Sequence, residues 1–258
     1  MIAIKSEHEI AIMREANQIV AEVLVTLAGM VAPGVSTGAL DEEAARLIRA
    51  YGAKPSFLGY LGYPKNTCIS VDEQIIHGIP GKRKLMEGQI VSIDVGVKHH
   101  GYYGDAAVTV ACGKIDETRQ RLMDATDLAL SRAIAAAKHG NYLSDVSRAV
   151  QTTCEAAGFS VVRSFVGHGI GTAMHEEPQV PNFVTREKGP MLKTGMVIAI
   201  EPMVNVGTYD VRVLKDGWTA VTADGKPSAH FEHSVVVREA GGEILSATPK
   251  LVWGRRTN

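Results

Sequence analysis

Four carboxylates in this chain stand where an uncompensated charge is costly. Asp94 ends the apolar run Ile90-Val91-Ser92-Ile93, and Glu201 ends Met196-Val197-Ile198-Ala199-Ile200. Asp105 follows Asp94 by 11 residues, between Tyr102-Tyr103-Gly104 and the next apolar run; Glu232, in Phe231-Glu232-His233, precedes Val235-Val236-Val237. An ionised carboxylate among strand-core residues costs several kcal/mol unless a cation or hydrogen-bond donors compensate it. Residues 90–97 and 196–209 contain no Lys or Arg to do so. One such acid is most simply a strand-end cap or surface ion pair, but four together favour a shared cation. His168, in Val166-Gly167-His168-Gly169-Ile170-Gly171, adds a nitrogen ligand among glycines that allow close approach. Four negative charges balance two divalent ions. An oxygen-rich set with one imidazole suits Mn, Fe, Co or Zn rather than a thiolate-bound structural zinc. Two ions ~3.5–4 Å apart can hold a bridging hydroxide and polarise a carbonyl oxygen, the chemistry of metal-assisted amide hydrolysis.

The elements that must position these residues follow from periodicity. Ser6-Glu7-His8-Glu9 is a capping box, and Ile10, Met13, Ala16, Val20, Val23, Leu24 and Leu27 continue at helical spacing to Pro33-Gly34. Further helices are predicted over about Gly38 to Ala50, Glu117 to Lys138 and Ser144 to Ala157. Strands are predicted over Thr67–Val71, Ile90–Val95, Ala106–Ala111, Ser160–Phe165, Met196–Ile200 and Ser234–Val237. A weak internal repeat runs through them. Gly34 and Gly52 bracket one helix, and Gly140 and Gly158, offset by 106 residues, bracket another. Gly88 to Asp94 matches Gly195 to Glu201 at an offset of 107, and each half carries a His-Gly-Ile, at His77 and His168. A period this long means a duplicated half-domain and not a solenoid. The expected organisation is a single catalytic domain, 1–258, made of two related halves, roughly 10–112 and 116–240, with Asp94 and Glu201 facing each other at the centre.

Composition sets the outer limits. The 258 residues carry 27 Lys+Arg against 28 Asp+Glu, a net charge of −1, so no basic surface for reading nucleic acid is expected. At 45% hydrophobic and 21% charged residues the chain is neither disordered nor fibrous. Three cysteines, Cys68, Cys112 and Cys154, match no disulfide or zinc-ribbon spacing. No apolar run reaches the ~18 residues of a membrane span, and the start shows no signal peptide. These features point to an untargeted, cytoplasmic protein, expected to be a monomer.

Taken in order, Asp94 and Asp105, Gly167-His168-Gly169-Ile170-Gly171, His175-Glu176-Glu177-Pro178, Ile200-Glu201-Pro202 and Phe231-Glu232-His233 resemble the methionine aminopeptidases of type I. The resemblance extends over nearly the whole chain, including Gly62-Tyr63-Pro64-Lys65, His77-Gly78-Ile79-Pro80 and Lys215-Asp216-Gly217-Trp218-Thr219. It implies an α/β (α+β) pita-bread fold, a pseudo-twofold, antiparallel-rich curved sheet covered by helices. It implies metal ligation by Asp94, Asp105, His168, Glu201 and Glu232, with Asp105 and Glu232 bridging two divalent ions. Glu201 would also accept the proton of the bridging water, and His77 and His175 would contact substrate beside the scissile amide. Phe57, Tyr60, Tyr63, Cys68, Met174 and Trp218 would form the pocket for a methionine side chain, whose sulfur favours aromatic contact. The implied activity is removal of the initiator methionine from nascent polypeptides whose second residue is small, with the ribosome as the candidate place of encounter.

Some positions depart from the family pattern. Met174, Phe57, Ile76 and Asp72 replace more usual residues, which bears on the pocket shape and on a monovalent-cation site near Asp72, and Ala106-Ala107 replaces a more polar pair. No N-terminal zinc-finger or Pro-rich extension is expected. Two rivals stand beside this reading. A proline-specific peptidase of the same fold would need room for a large N-terminal domain, and the ~90 residues before Asp94 leave none. A non-catalytic binding module on the same scaffold would be expected to have lost metal ligands.

Overall fold

The computed structural model describes residues 2–247. Helix α1 (Glu7–Met30) starts on the expected box: Ser6 accepts from the Glu9 backbone while the Glu9 carboxylate accepts from the Ser6 backbone. Ser36 caps α2 (Thr37–Ala50). The chain continues through β1 (Lys54–Pro55), a 3₁₀ turn at Tyr60–Gly62, β2 (Cys68–Val71), β3 (Gln74–Ile76), β4 (Ile90–His99) and β5 (Tyr102–Ala111). Helices α3 (Glu117–Ala136) and α4 (Leu143–Ala156) follow, then β6 (Ser160–Val161), β7 (Gly167–Gly169), β8 (Glu176–Val180), β9 (Val197–Ile200), β10 (Met203–Asn205) and β11 (Val211–Val213). The last strands are β12 (Ala220–Thr222), β13 (Ser228–His230), β14 (Glu232–Val237) and β15 (Gly242–Ile244).

The principal sheet runs β1-β4-β5-β14-β9-β7-β8, with β2 added to β4 and β15 to β14, and its paired strands are antiparallel. Side chains alternate across it. Ile93, Val95, Val97, Ala106 and Val108 face the layer in which Ile19, Val20, Val23, Leu24 and Leu27 of α1 are buried, forming one core with the apolar residues of α3 and α4. The opposite face carries the acids. Gly104 shows how tightly α1 lies on the sheet: a Cβ there would sit 2.8 Å from the Ala16 and Asn17 backbone. Among the described residues no helix is long and apolar enough to cross a membrane.

The differences from the expected elements have local causes. The strand expected over Ala106–Ala111 begins at Tyr102, because Tyr102–Asp105 is a polar, glycine-containing stretch without alternation yet pairs fully with Gly96–His99 across a two-residue turn. The strand expected over Ser160–Phe165 stops at Val161, where pairing with β10 ends. Helix α3 ends at Ala136, two residues before Lys138, and the following chain turns back so that Asn141 Nδ2 donates to the Ala136 carbonyl.

Candidate metal centre

The registers alone bring the acids together. Asp94 is opposite both Cys68 and Ala107, Gly96 is opposite Asp105, and Glu232 is opposite Ala107. Ala199 is opposite both His168 and Ser234. With a period of two, Asp94, Asp105, Glu232, Glu201 and His168 share one face of the sheet. Ala107 and Ala199, both fully buried, form a low floor between them. Ala106 turns to the helical layer and Ala107 leaves space beside the acids.

Asp105, Glu232 and Glu201 are buried, and one ligand atom from each of Asp105, His168 and Glu232 lies within 4.8 Å of the others. Glu201 Oε1 is 3.6 Å from His168 Nε2, and its Oε2 is 3.7 Å from His230 Nε2. Asp94 and Asp105 lie close enough to share a proton. Burial pushes the Asp94 carboxyl up to about 7. Burial, and after it the charge of neighbouring acids, drives Asp105, Glu201 and Glu232 well above the ordinary carboxylate range. Buried Oδ1 atoms of Asp94 and Asp105 and Oε1 of Glu232 have no hydrogen-bond partner. Among the described residues no Lys or Arg pairs with these acids, and such a cluster with orphaned oxygens is the electrostatic complement of divalent cations.

The His168 ring presents a lone pair to the acids. Its Nδ1 lies 2.9 Å from the Gly169 carbonyl, which can only accept, so Nδ1 carries the proton and the Nε2 lone pair faces Glu201. The flanking glycines are required by strand packing: a Cβ on Gly167 would fall 2.3 Å from the Ala199 carbonyl oxygen, and one on Gly169 2.2 Å from that of Glu177.

Beside the acids lies an aromatic recess. A cavity of about 170 Å³ is lined by every residue expected in the site: Asp94, Asp105, His168, Glu201 and Glu232, together with Phe57, Tyr60, Tyr63, Cys68, Met174 and Trp218, and His77 and His175. Phe57 reaches the recess because Gly96 has no side chain; a Cβ there would lie 2.6 Å from Phe57 Cε1. Tyr63 O–H donates to the Thr67 and Gly78 carbonyls, and its ring meets Trp218 edge to face at 5.1 Å. His175 Nδ1 is 2.7 Å from the Tyr60 hydroxyl, and its ring stands 4.2 Å from that of His168. Lys5, itself buried, donates to Glu176 at 2.6 Å and so ties down the segment that carries His175. His77 packs edge to face on Phe165 and Trp218, and burial, reinforced by His175, lowers its pKa to about 4.

Two residues of this region were not anticipated from sequence. Leu61 also lines the cavity and is 81% exposed at its mouth. His230 lies buried against Glu201, at the end of β13 in a different sheet from Glu232, so alternation within one strand gave no sign of it. At Asp72 the carboxylate already has a fixed cation: Arg119 Nε donates to it at 3.0 Å.

Residues 11–239 match the metallopeptidase family M24 profile. The chain belongs to this family of metal-dependent hydrolases and has their pita-bread fold. Its relatives within the family include methionine aminopeptidase 1 of Bacillus subtilis, 48% identical over 95% of this chain and 99% of that protein, and the methionine aminopeptidase of Escherichia coli, 44% identical over 95% and 94%. The crystal structure of methionine aminopeptidase from Thermotoga maritima superimposes with a TM-score of 0.94 at 44% identity, covering 96% of this chain and all of that one. Prolidase from Pyrococcus furiosus, 22% identical with a TM-score of 0.75, shares the fold.

Proposed function

We propose that this chain removes the N-terminal methionine from polypeptides whose second residue is small, working with two divalent ions of the Mn, Fe, Co or Zn type. The observation that carries this reading is the single cavity joining five ligand-type side chains to an aromatic, sulfur-containing recess. At about 170 Å³ it is smaller than the roughly 300–1,000 Å³ of sites for drug-sized ligands, a size for one side chain. We assign Asp94, Asp105, His168, Glu201 and Glu232 to holding the ions, Asp105 and Glu232 coming from adjacent strands. When bound, the ions activate a water molecule and polarise the scissile carbonyl.

The remaining work falls to the chain itself. Phe57, Tyr60, Tyr63, Cys68, Met174 and Trp218 receive the methionine side chain and thereby orient its amide. Glu201, with Oε1 3.6 Å from His168 Nε2, is the proton acceptor. With Tyr60 O–H donating to His175 Nδ1, the Nε2–H of His175 is left to donate to the carbonyl oxygen as charge develops. His77, kept neutral by burial, handles the proton at the departing nitrogen. The substrates in this reading are nascent polypeptides in the cytoplasm, met at the ribosome by a monomeric enzyme. The catalytic domain consists of two related halves, 10–112 and 116–240, a reading supported by the continuous sheet across the β5–β14 pairing.

The test is a peptide panel with the metal-loaded protein. Met-Ala-Ser should lose methionine much faster than Met-Leu-Ser. Equal release from both, or faster cleavage of a Xaa-Pro peptide than of Met-Ala-Ser, would overturn the reading.

A further inference from the structure

A second cluster of side chains of metal-ligating type lies at the tip of the β4–β5 hairpin. Strand β4 ends at His99, and the turn begins with His100 (φ 47°) and Gly101 (φ 87°), a left-handed pair that reverses the chain. The His99 and His100 rings end up with centroids 3.9 Å apart and tilted by 57°. Glu15 reaches the same spot from α1, with Oε2 3.9 Å from His99 Nε2. One ligand atom from each of the three lies within 4.8 Å of the others. Among the described residues, no side-chain hydrogen bond engages any of them.

We propose that Glu15, His99 and His100 form a separate, surface binding site for a divalent transition metal of the Zn, Ni or Cu class. Tetrahedral coordination at ~2.0–2.1 Å places ligand atoms about 3.4 Å apart, so closure requires small rotations of two exposed side chains and none of the backbone. Two imidazoles and one carboxylate are nitrogen-rich, unlike the oxygen-rich central cavity, and therefore favour Ni, Cu and Zn over Mn. Burial first, then His100, lowers the pKa of His99 against the opposing pull of Glu15, so its lone pair is available at neutral pH. The ion would clip the hairpin tip to α1. His99 is five residues from Asp94 and His100 five from Asp105, a strand distance of about 17 Å, so the two sites are independent occupants of one hairpin.

The experiment is calorimetric titration of the full, EDTA-stripped chain with Ni²⁺ and with Mn²⁺, comparing wild type, the double variant H99A/H100A and Glu15→Gln. The double variant should bind one equivalent of Ni²⁺ fewer, Glu15→Gln should bind that equivalent more weakly, and the Mn²⁺ isotherm and methionine release should be unchanged. In wild type, sub-stoichiometric Cu²⁺ should broaden the NMR amide signals of residues 98–102. Identical Ni²⁺ isotherms for wild type and the double variant, an unaltered equivalent in Glu15→Gln, or no broadening at the hairpin would overturn the proposal. Because the isotherms and the NMR broadening do not depend on catalysis, they stand apart from the fate of the peptidase reading.

Discussion

Replacing Asp105 by Asn should change stability in opposite directions with and without metal. In the metal-free protein Asp105 and Glu232 are buried acids with ligand atoms within 4.8 Å of each other, and Asp94 adds to the crowding. Two full charges at that distance repel by about 3.5 kcal/mol at an effective dielectric of ~20. The raised pKa values show that protons already absorb part of this. The relief that remains is smaller than this ceiling, and at roughly 2–4 °C per kcal/mol for a domain of this size Tm in EDTA should rise by a few degrees. With metal the order reverses. Wild type should gain about 4 kcal/mol at a thousand times Kd, and the variant, if Asp105 is a ligand as proposed, should forfeit most of that gain. Differential scanning calorimetry of both proteins in EDTA and in excess Mn²⁺ reads all four values. A variant that melts below wild type in EDTA and gains as much as wild type from Mn²⁺ would refute the assignment of this cluster to cations.

Other outcomes follow from the same geometry. His175→Ala should lower kcat for Met-Ala-Ser by about 10², the usual loss for one donor to a developing oxyanion, and Tyr60→Phe should lower it less, by about tenfold, with KM little changed in both. Gly96→Ala should cost about 1–3 kcal/mol in denaturant unfolding and raise KM, because its Cβ would displace Phe57 from the recess. Stability of the metal-free protein should fall as pH rises from about 4 to 7. Asp94 holds its proton up to about 7 when folded and releases it near 3.8 when unfolded, so its contribution is present below the lower value and lost as pH passes the upper one. Saturating metal should flatten that slope, and urea midpoints across the range measure it.

What the sequence disclosed and what it withheld divide along physical lines. Ser6 and Glu9 announced α1 because capping is local, and Ile90-Val91-Ser92-Ile93 announced β4 because burial on both faces leaves an unbroken apolar run. Asp94, Asp105, Glu201 and Glu232 were conspicuous because each interrupts or adjoins such a run without a basic partner, and all of them line the cavity. The short strands β10 to β13 carry two to three pairs each and little periodicity; long-range pairing fixes them, and no local pattern records it. Tyr102 to Asp105 stayed hidden for a related reason, since only its partner strand shows it to be extended. The Asp72–Arg119 pair joins residues 47 apart and supplies a guanidinium where the sequence pattern had raised a monovalent cation.

The most direct measurement of the central claim is methionine release from Met-Ala-Ser by EDTA-stripped protein titrated with Mn²⁺. The account predicts no release without metal and activity that rises to a plateau as the acid cluster fills, with wild type far above Asp105→Asn throughout. Release by the stripped protein, or none at any concentration of Mn, Fe, Co or Zn, would contradict it.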